Sequence, residues 1–329
     1  MATAKNKREV KEAVEQVVST VPEKRFFWQF PIVKLRYWWF AISLLVIIPG
    51  VISLFLHGLN LGIDFTGGSV FNLTFNTPVT QTEISSALQS VGLPDSTVQL
   101  SMQNGKSVAL IRTKSLDETL RSKALAAIQA KTGPYDPSQY SEDKVGPSIG
   151  QEITQNAIIA LLIAFAGMIL YLTIRFEFVF GVSAVAAIFH DVLVVLGLFS
   201  IFRWEIDASF VAAILTVVGY SINDTVVIFD RIRENQEKLR RGDSYEDMVE
   251  KSVWQTMARS INTVLTVLIT LFAIFLLGGE STRIFSLAML IGVFSGAYSS
   301  IFNASQILVE LKNWQSRRQK ATRLAKSRA

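Results

Sequence analysis

The chain of 329 residues contains no cysteine and only two histidines, His57 and His190. Disulfides, thiolate metal sites and cysteine nucleophiles are thereby excluded, and a histidine-based metal centre lacks its ligands. Charge is scarce as well: 18% of residues are Asp, Glu, Lys or Arg, against 50% hydrophobic, and the mean hydropathy is +0.36. An ordinary soluble domain carries about a quarter charged residues, so the apolar excess belongs in a membrane. A disordered or fibrous chain does not hold so many large apolar side chains. The net charge of +5 is too small to argue for nucleic acid, and no nucleic-acid partner is expected.

What is present is a set of six apolar runs, each near or above the roughly 20 residues that cross a bilayer as helix. They are 38–56, 157–174, 179–201, 208–229, 260–277 and 284–309. Four carry no charged residue, the third carries His190 and Asp191, and the fourth carries Asp224. The first run is longer than a signal-peptide core and no small-x-small cleavage pattern follows it, so it reads as a retained span. Trp28, Tyr37, Trp38 and Trp39 fit an interfacial aromatic belt at its start.

Basic residues give the orientation. They gather in the N-terminal arm 1–37 (Lys5, Lys7, Arg8, Lys11, Lys24, Arg25, Lys34, Arg36), in the tail 310–329 (Lys312, Arg317, Arg318, Lys320, Arg323, Lys326, Arg328) and in the loop 230–259 (Arg231, Arg233, Lys238, Arg240, Arg241, Lys251, Arg259). An even number of spans puts all three on one side, which the positive-inside rule makes cytoplasmic. Such tails hold orientation and attract anionic lipid headgroups, or contact a ribosome, a motor or another subunit.

Residues 57–156 then form one large outside segment, read as a small α+β domain. In Ser69–Asn76, Val70, Asn72 and Thr74 alternate with Phe71, Leu73 and Phe75, as a half-buried strand requires. Thr80 and Glu83 make a capping box for a helix ending at Gly92, and Asn104-Gly105 is a type I′ hairpin signal. Ser115 is placed to cap a second helix over 116–131, ahead of Gly133-Pro134, and a last strand is expected over 139–145. The order β-α-β-β-α-β is that of a ferredoxin-like domain, and no catalytic constellation falls within it. The expected fold is a polytopic α-helical membrane protein with six transmembrane helices and this extracytoplasmic domain between helices one and two.

A carboxylate within the hydrocarbon is costly, about 2.5–3.5 kcal/mol on insertion scales, and marks a functional position. Thr216, Tyr220, Asn223 and Asp224 share an arc of the fourth span; Asn262, Thr266 and Thr270 do so on the fifth, and Gly292, Ser295, Gly296, Ser299 and Asn303 on the sixth. These stripes are expected to face one another. Arg259, at the start of the fifth span and at nearly the depth of Asp224, is the expected partner of that carboxylate. Two readings stand: a static pair that fixes helix register, or a group that binds a proton and the Arg in turn. His190 and Asp191 are adjacent and so are expected to face different ways; each either packs in the core or lines a water-accessible path. Small faces at Ala160, Ala164 and Gly167 and at Gly292 and Gly296 read as close helix packing or a partner interface. Gly219-Tyr220-Ser221 has the G-x-S of an intramembrane serine protease, but no histidine follows it, and Asp191 with Asp224 lacks the G-x-G-D of an aspartyl dyad. No enzyme, cofactor or metal is expected.

Three stretches, GIDFTGGS (62–69), VGPSIGQE (145–152) and GYSINDTVVIFDRIREN (219–235), closely resemble the SecF family, as do RSINT (259–263), His190-Asp191 and the layout of one span, an outside domain and five more spans. The resemblance covers 38–309. It implies a subunit of the bacterial SecD–SecF export complex, in the resistance-nodulation-division superfamily, associated with the SecYEG channel and often YajC. That complex draws on the proton-motive force to help preproteins finish translocation. The resemblance further implies that Asp224 is the proton-responsive carboxylate, that Arg259 is its functional neighbour, and that Gly62, Asp64, Gly67 and Gly68 mark the entry to the outside domain. The expected proton-coupling set is Asp224, Arg259, Asn223, Asn262, His190 and Asp191. The expected place is a bacterial cytoplasmic membrane, or a thylakoid membrane in a photosynthetic source, with both termini cytoplasmic. Rival readings are a proton-driven half-transporter for lipids or small hydrophobic compounds and a non-conducting scaffold of the translocon.

Overall fold

The computed structural model describes residues 30–103, 105–240 and 242–326. Lys5, Lys7, Arg8, Lys11, Lys24, Arg25, Trp28, Asn104, Arg241 and Arg328 lie outside the described residues. The architecture is the expected polytopic helical one. Six helices are long and apolar enough to span a membrane. They are α1 (Arg36–His57), then, after an inserted domain, α5 (Pro147–Arg175), α6 (Phe178–Ile201), α7 (Ala208–Glu237), α8 (Tyr245–Leu277) and α9 (Glu280–Ser299), the last continuing through a π-helical turn at Ser300–Ala304 into α10 (Ser305–Lys326).

The helices outrun their apolar runs. α5 starts ten residues ahead of the run at 157, because Pro147 at its first position costs no hydrogen bond there. The stretch 230–259 is mostly helix, since α7 and α8 extend toward each other and leave only a short connection. Asp230 and Arg175, then Glu234 with Arg231 and Lys238, pair along these extensions. Ser244 caps α8, its hydroxyl accepting the Asp247 N–H.

α6, α7 and α9 form the middle of the bundle, with half or more of their apolar stretches buried; α1 and α8 bury about a sixth and α5 almost none. α1 leans on α6 where two glycines meet: a Cβ on Gly50 would stand 2.8 Å from the Gly197 Cα. Beside that contact, Ser53 and Ser200 share a hydrogen bond of 2.9 Å. Gly292 and Gly296 of α9 take Val217 and Ser221 of α7 in the same way, so this small face packs within the chain, whereas Gly167 on α5 meets nothing. At the far end from the domain, the Glu250 carboxylate accepts the N–H groups of Ile32 (2.9 Å) and Val33 (2.7 Å) and ties the entry of α1 to α8.

The inserted domain begins with β1 (Asn60–Leu61) and the short helix α2 (Ile63–Thr66). Then come β2 (Gly68–Phe75), α3 (Gln81–Ser90), β3 (Thr97–Gln103), β4 (Lys106–Thr113), α4 (Glu118–Thr132) and β5 (Ser141–Val145). The antiparallel sheet runs β3-β4-β2-β5. Phe71, Leu73 and Phe75 turn inward with no exposure onto Ile84, Leu88 and Ile128 of the two helices, as the alternation requires. Thr80 and Glu83 close their capping box. The cap of α4 is Asp117, not Ser115: its carboxylate accepts the Leu120 N–H at 2.7 Å, and Leu116 is drawn into the domain core ahead of the helix. Finally β6 (Glu205–Ile206), between α6 and α7, pairs in parallel with β1.

The α1–α6 contact has no room for a side chain, and overpacking of a buried contact costs about 1–3 kcal/mol. Gly197→Val is therefore expected to lower the thermal unfolding midpoint of the detergent-purified chain by several degrees. Gly167→Val, at an open position, is the control and should leave it within about a degree.

Candidate functional site

The bundle core is organised around Asp191, which has no exposed surface. Its carboxylate receives four contacts. Oδ1 takes the Ser295 hydroxyl at 2.7 Å and lies 3.0 Å from His190 Nδ1; Oδ2 takes Ser221 at 2.6 Å and Ser299 at 2.7 Å. Ser295 and Ser299 stand four apart on α9 and so reach the same point, while Ser221 arrives from α7. His190 continues the chain outward: its Nε2 lies 3.0 Å from Ser43 Oγ on α1, which also accepts Asn303 Nδ2 at 2.8 Å. The imidazole stacks over Tyr298, whose hydroxyl donates to the Trp39 carbonyl at 2.8 Å. Next to this cluster, Thr225 and Ser300 share a 2.8 Å hydrogen bond at the π-helical turn. Such a turn is an extra-residue bulge that re-aims side chains and is frequent at functional sites.

His190 and Asp191 thus act together, against the expectation from helix geometry. The short Asp side chain points into the bundle, and the longer imidazole folds back across it to within hydrogen-bonding distance.

Asp224 is a different kind of carboxylate. It is 8% exposed, its Oδ1 accepts the Ser260 hydroxyl at 2.6 Å, and its buried Oδ2 has no hydrogen-bond partner among the described residues. No close salt bridge joins Asp224 to Arg259 among the described residues: Arg259 is exposed and acts on the carboxylate through its charge, while Ser260 takes the inward position. Neighbouring residues on a helix point about 100° apart, so α8 can aim only one of the two at α7. Asn223 and Asn262 are exposed as well. Of the polar stripes expected to face each other, Thr216 and Asn223 of α7 and Asn262, Thr266 and Thr270 of α8 lie on the outside of the bundle, Tyr220 is half-buried, and Asp224 alone turns in to meet α8. The stripe of α9 does face inward, onto Asp191.

On that outer face the threonines are self-sufficient. Thr216, Thr263, Thr266 and Thr270 all donate to carbonyls one turn back on their own helix. Asn223, Arg259 and Asn262 make no such bond among the described residues and present exposed side-chain polar groups on the face next to Asp224.

Gly62, Asp64, Gly67 and Gly68 form a joint, not a ligand pocket. The Gly62 N–H donates to the Ile206 carbonyl at 2.8 Å, and a Cβ there would stand 2.6 Å from Glu205 Oε1. Asp64 accepts the Ala208 N–H at 2.8 Å, so it joins Asp207 in placing negative charge at the positive end of α7. Gly67 has φ 72°, and its N–H lies where a Cβ on Gly150 of α5 would stand, 3.0 Å away; a Cβ on Gly68 would meet the Thr113 carbonyl at 2.5 Å. The exit of α1, the start of α5, the α6–α7 connection and the sheet all converge here.

Sequence reasoning missed Ser43 and Ser260, because a hydroxyl in an apolar run carries no charge signal, and weighed Ser221 only as part of a protease-like G-x-S and not as a donor to Asp191. Ser221 and Asp224, three apart, were the available hint that one turn of α7 serves two carboxylates.

Six apolar helices enclosing two buried carboxylates, with an α/β domain inserted after the first, define a polytopic membrane protein whose charged groups are sequestered inside its bundle. Residues 124–314 match the family described as "Protein export membrane protein SecD/SecF, C-terminal", and residues 52–79 match the "SecD/SecF GG Motif". The chain is 43% identical to the protein translocase subunit SecF of Thermobaculum terrenum over 302 residues, covering 86% of this chain and 94% of that one. It is 41% identical to SecF of Alicyclobacillus acidocaldarius, covering 90% and 96%. Its fold resembles the crystal structure of SecDF, a translocon-associated membrane protein from Thermus thermophilus, with TM-score 0.79 and 32% identity, over 91% of this chain and 41% of that one. The chain belongs to the SecF family of protein translocase subunits.

The two carboxylates should respond oppositely to substitution. Asp191→Ala strands the Ser221 and Ser295 hydroxyls and the imidazole Nδ1, each costing about 1–3 kcal/mol when left unpaired in a buried site, and leaves Ser299 to the Gly296 carbonyl. Asp224→Asn strands nothing new. Denaturation of the purified chain in detergent is expected to show a large loss of stability for Asp191→Ala and a change within about 1 kcal/mol for Asp224→Asn.

Proposed function

We propose that this chain is the SecF half of a SecD–SecF complex that uses the proton-motive force to promote late steps of preprotein translocation, with Asp224 as the proton-responsive group. The observation that carries the reading is the contrast between the two carboxylates. Asp191 has all its acceptor positions filled, which suits a fixed element. Asp224 has one oxygen filled and one empty, which suits a group that gains and loses a partner.

The outward Asn223, Arg259 and Asn262 support the second half of the reading. Within a bilayer such groups need hydrogen-bonding partners, and a helix of another subunit seated against α7 and α8 supplies them. The SecDF of Bacillus subtilis, 35% identical over 325 residues, extends well beyond this chain, which covers 42% of it. The remaining SecD portion is the natural source of that helix. Proton entry at Asp224 would alternate with approach of the Arg259 guanidinium: ionised, the carboxylate draws a cation to its empty oxygen; protonated, it lets the cation go. Each exchange biases the contact between α7, α8 and the partner helix.

The basic residues at the helix ends support a cytoplasmic position for both termini and an outside position for the inserted domain, on the side where preprotein would emerge. A cytoplasmic membrane is the corresponding location, with SecYEG and YajC as further partners, lipid around the bundle, and no covalent reaction.

The test is pulse-labelled export of a secreted protein in cells depleted of this chain. Depletion is expected to accumulate precursor, wild type to clear it, and Asp224→Asn to fail at normal membrane levels. Full rescue by Asp224→Asn would overturn the proton-coupled reading in favour of a scaffold.

A further inference from the structure

α5 touches the bundle chiefly beside its connection to α6. There Leu172 and Phe176 are buried, and a Cβ on Gly181 would stand 3.8 Å from the Leu172 Cβ. Beyond that contact the two helices enclose a cavity of about 430 Å³, lined by Phe165, Ile169 and Thr173 from α5 and by Gly181, Val185 and Phe189 among others from α6. The lining offers no free polar group, since its one hydroxyl, on Thr173, donates to the Ile169 carbonyl at 2.7 Å. The buried Gly181 and half-buried Val185 make a small floor, and the exposed Phe178 and Phe189 make aromatic rims. A transmembrane helix packs against small side chains that let backbones approach. The small face of α5, at Ala160, Ala164 and Gly167, lies outside this cleft. A slot with a small floor and bulky rims suits a single hydrocarbon chain. From Phe178 to Phe189 it runs about 16 Å along α6, which matches the roughly 15 Å of apolar depth in one leaflet.

The end of the slot at Phe178 is basic. Arg175 and Arg233 lie over the Phe176 ring, 5.3 and 5.7 Å from its centroid, and share one carboxylate, Asp230, at 3.1 and 3.3 Å. Lys312 and Glu177 pair separately at 2.6 Å. Three cations thus face two carboxylates, and the cluster keeps one positive charge in excess. It stands where the apolar runs of α5 and α7 end, the level at which a phospholipid carries its phosphate.

We propose that the α5–α6 cleft is a binding site for one acyl chain of an anionic phospholipid, with the headgroup held at Arg175 and Arg233. With both termini cytoplasmic, the lipid is one of the cytoplasmic leaflet. Its chain covers apolar surface that the bundle leaves open, and its phosphate meets the excess positive charge. A lipid seated there braces α5, the spanning helix that the rest of the chain buries least. The site goes beyond the proposed function and makes no use of Asp224.

The test places the full chain in nanodiscs of phosphatidylglycerol and phosphatidylethanolamine, with a trace of either lipid carrying a diazirine on its acyl chain. Adducts formed on photolysis are mapped by mass spectrometry. The phosphatidylglycerol probe should concentrate on residues 165–189, above the level on the exposed faces of α1 and α8. The phosphatidylethanolamine probe should label the cleft about fivefold less, the ratio expected for one excess positive charge at the surface. Gly181→Leu and Ala186→Phe fill the slot from two sides, and each should return cleft labelling to the level of α1. Gly167→Phe, at an open position outside the cleft, should leave it unchanged. Arg175→Gln combined with Arg233→Gln should remove the difference between the two lipids while both still label the cleft. Even labelling of α1, α5 and α8, which is annular lipid only, would overturn the proposal. So would equal labelling by the two lipids in the wild type, or filling variants that both label as wild type does. Loss of cleft labelling on addition of the SecD partner would identify a protein helix as the occupant and overturn it as well.

Discussion

A bilayer core has no water to satisfy a stranded polar group, and the bundle depends on how it meets that constraint at Asp191. A bare carboxylate there would drive the helices apart. Four donors convert it into an anchor instead: Ser221 from α7, Ser295 and Ser299 from α9, and His190 from its own helix. Through His190 the anchor extends to Ser43, so α1 is joined to the core by hydrogen bonds as well as by the Gly50–Gly197 contact. Because donors from three helices converge on one group, sliding any one of them along its axis breaks a bond that hydrocarbon cannot replace. The register of the central helices is fixed by chemistry at one point.

With that register fixed, the incompleteness of Asp224 acquires meaning. It lies one turn beyond Ser221 on α7 and is buried as well, yet it has a single hydroxyl donor. Ser221, which donates to the anchor, and Asp224 share α7, and the start of that helix is held by Asp64 and Asp207. That start is also the joint to the inserted domain. A rigid helix thus connects the site inside the bundle to the contact that positions the domain, which is the physical arrangement a coupling device requires.

How much of this was legible in the chain varied with the kind of signal. The six spans, the capping box at Thr80 and the inward Phe71, Leu73 and Phe75 were readable because each is a local pattern of period or spacing. The inward stripe of α9 was readable for the same reason. Arg259 acts on Asp224 through its charge at the expected depth, but the direct hydrogen bond comes from Ser260, one residue on, because rotation about the helix axis turns Arg259 outward. The union of His190 with Asp191, the role of Ser43, and the 2.7 Å contact of Arg112 on β4 with Glu205 in β6 were not readable, since each depends on side-chain rotation or on packing between segments far apart.

By itself, then, the sequence determined what is set by short-range chemistry: which segments are apolar enough to cross a membrane, the capped start of α3, which strand faces are buried, and that Asp191 and Asp224 would be costly inside a bilayer. The motifs Gly62–Ser69 and Gly219–Asn235 also carried the family resemblance. Only the tertiary structure decided which of the two carboxylates is satisfied, which polar face of the bundle is left outward, and that the glycine motif is a joint between domain and helices. Those outcomes depend on the rotation and contact of helices distant in the chain, where a turn of 100° separates a buried partner from an exposed one.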